Sequence, residues 1–544
     1  MRRLLAASLL SMLLAVPALA KDELVIGITQ VPATFNPAIE SMLAKTYVLA
    51  FAQRPITAYD PSWQLTCLLC ETLPTVENGL AKAEGKGIAV TYTLKADAKW
   101  GDGKPVTSDD VVFSWNVGRH PQSGVASAEL FRRITKIDVK DARSFTLHFD
   151  KLTFDYNAIN DLRLLPAHLE KARFLAAPAE YRNRTAYDQD TTNPGLYNGP
   201  YRITQVVQGS HVVLEPNTAW GGAKPAFKRI VIKAIENTAS LEANLLSGGV
   251  DMIAGELGLP LDQSLAFEKR HGARFTVITK PSLTYEHLDL NLDNPVLADP
   301  KIRRALLLGL DRETMTKQLF DGRQPVAHSM VPPLDWVYAD DIARTAFDPV
   351  KAAALLDEAG WKAGPGGLRV NGKGDKLALE LVTTAGNRSR ELVAQVLQAQ
   401  WRKLGIDLRI KTEPPRVLFG ETVTKRKFPH MAMFAWYSAP ENVPHSTLHS
   451  DAIPKAANSW SGQNYTGYAN PRMDKLIEAI ETELDRTKRK ALWHDLQALY
   501  AEDLPALPLY FKADAFILPK GLKGLEPTGH QDPSPYWVEN WRWE

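Results

Sequence analysis

Trp100-Gly101-Asp102-Gly103-Lys104-Pro105-Val106-Thr107-Ser108-Asp109-Asp110-Val111-Val112-Phe113-Ser114 is the stretch on which the reading of the fold turns. Gly101, Asp102, Gly103 and Pro105 crowd turn-forming residues together, so the segment opens as a tight loop. Thr107 and Ser108 then precede Val111, Val112 and Phe113, and Asp109 and Asp110 put negative charge into a first helical turn. That is the arrangement of a capped helix N-terminus, and it reads the adjacent acids as caps rather than as a catalytic pair. Just upstream, residues 88–94 are rich in β-branched side chains and read as a strand.

Outward from this unit, strands and helices alternate without a fixed repeat. Residues 24–28 form a short apolar run, read as a buried strand that ends in a turn at Thr34-Phe35-Asn36-Pro37. Strands are expected at 201–205, 211–215, 227–235, 287–291, 377–382 and 507–511. Helices are expected at 238–247, closed by Gly248-Gly249, and at 299–310, 388–404, 471–483 and 487–504. A glycine-rich hairpin is expected at 364–374. This alternation argues for an α/β or α+β protein, and 544 residues are too many for one core.

The N-terminus points to export. Arg2 and Arg3 precede an apolar run from Leu4 to Val16, and Ala18-Leu19-Ala20 supplies a small-x-small cleavage site. The run is too short to span a bilayer, which takes about 20 apolar residues, so residues 1–20 read as a signal peptide. Lys21 follows the cut rather than Cys, which argues against a lipoprotein and for a periplasmic protein with no membrane insertion after cleavage. The chain holds 64 basic and 62 acidic residues, and the leader takes away two arginines, leaving a mature net charge of zero. No basic stripe stands out, so a nucleic-acid partner has no electrostatic footprint. Cys67 and Cys70 are the whole thiol content. A zinc site would need a second pair, and an oxidising compartment makes a local disulfide the expectation.

Several of these segments resemble the periplasmic oligopeptide-, dipeptide- and nickel-binding proteins of ABC importers, the extracellular solute-binding proteins of family 5. The resemblance rests on Tyr92-Thr93-Leu94-Lys95 with the 100–114 stretch and on Asn198-Gly199-Pro200-Tyr201. It continues through residues 245–251, residues 299–306 with Asp311-Arg312, and residues 465–474 followed by Leu507-Pro508-Leu509-Tyr510. These landmarks fall in the family's order along almost the whole mature chain. The resemblance implies an α/β, two-lobed periplasmic binding protein of the type II-like, cluster C kind, with an extra domain inserted in the first lobe. Lobe I would comprise residues 21–44, 196–284 and 508–544, the extra domain 45–195, and lobe II 285–507. The implied function is capture of a peptide or peptide-like ligand for a membrane permease, without catalysis or cofactor, by a monomer.

The resemblance also places the ligand between the lobes. One wall would be the loop carrying Thr29, Gln30 and Thr34, and the other the segment Trp436, Tyr437, Ser438, Ala439 and Glu441. Backbone groups of such loops can pair with an extended peptide as an added strand. Peptide-binding relatives place an Asp after this Trp to meet the ligand's amine, whereas Ala439 stands here, leaving Glu441 as the nearest acid. Trp436 and Tyr437 suit either a pocket wall or a core. Arg416 is a candidate for a ligand carboxylate and equally an ordinary solvated loop residue. His445 and His449 have the i, i+4 spacing of metal ligands, but two histidines in one segment are commonly surface residues and no metal is expected. A receptor for a metal chelate, opine or sugar conjugate is the rival reading, and a secreted hydrolase the rival of another class. No G-x-S-x-G elbow, phosphate loop or H-E-x-x-H supports the latter.

Overall fold

The computed structural model describes residues 22–544, so the expected signal peptide and Lys21 lie outside the described residues. The chain begins with β1 (Glu23–Ile28) and α1 (Leu43–Ala52). An antiparallel sheet follows, built from β2 (Ala81–Glu84), β3 (Gly87–Thr93), β4 (Ile134–Val139) and β5 (Ser144–Phe149) in spatial order β2-β3-β5-β4. Between β3 and β4 lies α2 (Ser108–Arg119). The chain then adds β6 (Tyr201–Val207), β7 (His211–Pro216), β8 (Arg229–Ala234), α3 (Thr238–Leu246) and β9 (Met252–Ile253) beside β1.

It crosses to the second lobe in β10 (Phe275–Leu290). There it forms α4 (Pro300–Leu308), β11 (Ala378–Thr384), α5 (Arg388–Lys403), β12 (Asp407–Glu413), β13 (Met431–Tyr437), α6 (Pro471–Thr482) and α7 (Arg486–Asp503). It returns in β14 (Ala506–Pro519). One ten-stranded sheet runs through both lobes in the order β12-β11-β13-β10-β14-β9-β1-β8-β7-β6.

Two cores sit on this sheet, and β10 and β14 serve both. In lobe I, Leu24, Ile26 and Ile28 of β1 pack with Phe51, Ile203, Ile232, Phe516 and Leu518. In lobe II, Leu288 and Leu290 pack with Leu381, Trp401, Met433, Leu507 and Leu509. The apolar faces follow from spacing: Val393, Leu397 and Trp401 recur every four residues along α5, and all are buried. Neither β10 nor β14 is continuous in its pairing. Residues 275–281 pair with 513–519 and residues 285–289 with 506–511, with register shifts between Pro281 and Tyr285 and between Glu286 and His287. The strands expected at 287–291 and 507–511 are therefore the lobe II ends of a 16-residue and a 14-residue strand. Pro281 and the polar Lys512-Ala513-Asp514 hide that continuity, because they break the apolar pattern where the chain passes between cores.

The inserted domain has its own core of Tyr92, Trp100, Val111, Phe131, Phe145 and Leu147. Helix α2 belongs to two cores at once, since its Phe113 and Val117 pack into lobe I while Val111 faces the inserted sheet. The expected boundary at residue 45 falls inside α1, whose Tyr47, Val48 and Phe51 pack with lobe I. In the 100–114 stretch, Asp110 caps its helix as expected by accepting from the Thr107 N–H at 2.8 Å. It also accepts from the Trp100 indole at 3.1 Å and the Ala167 N–H at 2.8 Å, so one carboxylate ties loop, helix and a later segment together. Cys67 and Cys70 are disulfide-bonded.

Candidate functional site

Between the lobes lies a cavity of about 350 Å³. Its walls come from the loop after β1, the segment after β9, the crossing strands, and the C-terminal end of β13 with the loop beyond it. The lobes touch on both sides of it. The Ser389 hydroxyl donates to Asp262 at 2.8 Å, and the Tyr437 hydroxyl donates to Asp514 at 2.6 Å. At the opposite rim Gly462 N–H donates to the Ala126 carbonyl of the inserted domain at 3.2 Å. This is a closed arrangement.

Six of the nine sequence-based candidates, Thr29, Gln30, Trp436, Tyr437, Ser438 and Ala439, line the cavity together. Trp436 is half-buried and stacks on Tyr465 at 5.6 Å between ring centroids, so it is packed on one side and part of the wall on the other. Beyond Met433, β13 pairs with β10 alone, because its pairing with β11 stops there. The flank of residues 434–437 is therefore free of a strand. Ser438 is less available, since its N–H donates to the Leu283 carbonyl and its carbonyl accepts from Gln531. The Thr29 hydroxyl likewise donates to Leu257 at 2.7 Å.

Three candidates are not brought to the cavity. Glu441 forms an ion pair with Arg489 of α7 and accepts from the Trp336 indole at 3.0 Å, so its carboxylate is committed within lobe II. Its distance from Ala439 in sequence is short, but its left-handed backbone (φ 50°) sits at a bend held by Asp335, which accepts the Glu441 N–H. Thr34 donates to Asp188 at 2.7 Å away from the cavity. Arg416 is exposed and does not line it.

The sequence reading missed the charged residues of the floor. Arg390 holds Glu286 through two bonds of 2.6 and 2.9 Å, and Lys512 stands 3.8 Å from the same carboxylate. Burial opposes ionisation of Glu286, but Arg390 and Lys512 outweigh it and keep the group below its ordinary value. Burial pushes Glu256 up to about 7, with the charge of Asp514 adding to the effect. Burial likewise raises Asp514 to about 6, against the Tyr437 hydrogen bond and the charge of Lys512. Two signals for these residues are visible in retrospect: Lys512 and Asp514 interrupt an apolar strand, and Glu256 stands between Gly255 and Gly258.

At the rim, His445 and His449 stack with ring centroids 4.2 Å apart. His445 Nδ1 lies 2.7 Å from Glu481, and its Nε2 lies 3.2 Å from Asp451. The inserted domain reaches the same cluster through Glu129, through a Lys151–Glu481 ion pair and through Arg132, 3.4 Å from Asp451. Burial opposes protonation of His445, but the Asp451 and Glu481 bonds and the charge of Glu129 outweigh it and hold the imidazolium up to about pH 9.

Two lobes joined by paired crossing strands and closed over a lined cavity define a hinged receptor for a small solute. Residues 75–455 match the bacterial extracellular solute-binding proteins, family 5 (middle region), and the chain belongs to that family. The chain is 26% identical over 524 residues to the oligopeptide-binding protein AppA of Bacillus subtilis, covering 95% of this chain and 91% of that one. Among solved structures it is similar to the oligopeptide-binding protein of Thermus thermophilus complexed with a pentapeptide, with 28% identity, a TM-score of 0.89 and 96% of each chain covered. The nickel-histidine-binding NikZ of Campylobacter jejuni, 23% identical with a TM-score of 0.82 over 96% of this chain and 99% of that one, shares the fold. No helix among the described residues is long and apolar enough to cross a membrane.

Proposed function

We propose that the protein is a periplasmic receptor, monomeric and without catalytic activity, that captures a peptide or peptide-like ligand between its lobes and hands it to an ABC import permease. The observation that carries this reading is the free flank of β13 over residues 434–437 at the cavity wall. An extended peptide can add to such a flank through its main chain, gaining affinity that does not depend on its side chains. The names of the similar proteins, oligopeptide-binding in Bacillus and Thermus, support the same class of ligand. The leader-like N-terminus, lacking Cys at position 21, supports a soluble exported form rather than a lipid-anchored one.

Native mass spectrometry of protein purified from its host, followed by calorimetry with the compounds released, tests the reading. Bound species of peptide mass that rebind after unfolding and refolding are the expected result. Recovery of a metal chelate, an opine or a sugar conjugate instead, with no binding of peptides of any length, would overturn it.

A further inference from the structure

The flank of β13 offers main-chain groups, which treat all peptides alike, so any discrimination among ligands has to come from the side chains around it. Along β13 the side chains alternate, placing Phe434 and Trp436 on one face and Ala435 and Tyr437 on the other. On the Phe434 face the cavity ends in four aromatic rings drawn from three segments of lobe II. Phe434 lies 5.4 Å from Trp436, 5.9 Å from Phe419 and 6.3 Å from Tyr465 between ring centroids, and Trp436 stacks on Tyr465. Behind them Val382, Leu418, Val423 and Phe428 form a small core of their own. Phe434 and Tyr465 are buried in it, whereas Phe419 and Trp436 are only half-buried and keep part of their surface for the cavity.

Phe419 also reaches the other lobe. It stands on the helical turn Leu418–Val423 and packs against the core of lobe I as well as its own, and its neighbour Gly420 faces Ala33 and Glu40 of lobe I. The corner is therefore complete only when the lobes are closed. The charged groups that lobe I brings to this end are committed within lobe I. Glu40 pairs with Arg182 at 3.1 Å, and the Lys45 ammonium donates to the carbonyls of Pro37, Ile39 and Glu40. What the corner presents to a ligand is aromatic surface, and such surface gains most when another apolar group covers it.

We propose that this corner selects peptides carrying one bulky apolar side chain, aromatic or branched aliphatic, at a fixed position, and that Phe419 is the residue that sets the preference. This rests on the peptide reading and adds a side-chain requirement to it. A peptide lying along residues 434–437 alternates its side chains as β13 does, and neighbours on adjacent strands stand about 4.5–5.5 Å apart, so one ligand side chain is carried over Phe434 and Trp436. Because Phe419 touches both lobes, a side chain that fills the corner makes contacts available only in the closed arrangement and so shifts the lobes towards closure.

Calorimetry with pentaalanine and with alanine pentapeptides carrying one Phe at each successive position tests this. At one position Phe should raise affinity at least about tenfold over pentaalanine, Leu there should keep part of the gain, and Lys or Asp there should abolish it. Phe419→Ala and Trp436→Leu should each cut the preference for Phe to about threefold or less. Thermal unfolding verifies that the variants fold, and the ligand series on wild-type protein reports even where one of them does not. Phe that improves on Ala at no position, a preference unchanged in Phe419→Ala, or Lys favoured over Phe at the same position would overturn the pocket while leaving the peptide reading intact. Failure of every pentapeptide to bind wild-type protein would overturn the peptide reading itself, and the inference with it.

Discussion

Removing the Glu441 carboxylate strips the Arg489 guanidinium and the Trp336 indole N–H of their shared acceptor. Arg489 is nearly buried and lies over the Phe154 ring at 4.2 Å, so it cannot easily reach solvent in compensation. Glu441→Ala should therefore lower stability by about 3 kcal/mol, the cost of a broken buried pair, while calorimetry with any bound ligand shows unchanged affinity. A loss of affinity with unchanged melting would return Glu441 to the cavity. In sequence Glu441 looked like the stand-in for a missing acid because it is two residues from Ala439. Sequence distance carries no information about which way a bend turns, and the partners that decide it, Asp335 and Arg489, lie far away along the chain. Glu256 was overlooked for the same reason, since Asp514, the like charge that acts on it, and Ser534, which donates to it, both come from near the other end of the chain.

At the scale of elements, legibility followed the range of the cause. Helix α5 was readable because its cap and stripe are local: Asn387 accepts from the Arg390 N–H at 3.1 Å, and Val393, Leu397 and Trp401 repeat at helical spacing. The tight loop and α2 were readable for the same reason, although the full use of Asp110 was not, because Ala167 donates to it from beyond β5. Asp110→Ala leaves the Trp100 indole and the Thr107 and Ala167 N–H groups short of an acceptor, and a cost of about 2–4 kcal/mol is expected from the lost cap and the stranded Trp100 indole. Denaturant unfolding checks it, and Asp110→Asn, which keeps an acceptor oxygen, should recover part of the loss. The long strands β10 and β14 were legible only in halves, since each half obeys the hydrophobic pattern of a different core and the polar join obeys neither.

Across the whole molecule, the rim cluster clasps the inserted domain to lobe II opposite the hinge. His445 faces Glu481 and Asp451 of its own lobe and Glu129 of the inserted domain, with His449, Lys151 and Arg132 alongside. Its folded value of about 9 lies above the 6.5 of an unfolded histidine, so its contribution to stability is complete below pH 6.5 and disappears as pH rises through 9. Glu481, held down to about 2 by His445 and Lys151 against the effect of burial, loses its contribution only in acid and does not blur that window. The melting-temperature gap between wild type and His445→Gln should therefore be widest below pH 6.5 and close by about pH 9. A gap that is flat across that range would remove His445 from the clasp. The sharing of β14 between cores has a consequence in time rather than in space. Leu507 and Leu509 complete lobe II, and Phe516 and Leu518 complete lobe I, so neither core can close before the last part of the chain is present. A chain emerging from its N-terminus holds one unfinished sheet in two parts, β10 with its lobe II neighbours and β9 with its lobe I neighbours, and the arrival of β14 between them joins the parts. Folding of the two lobes is thereby synchronised and postponed until the C-terminal strand is available.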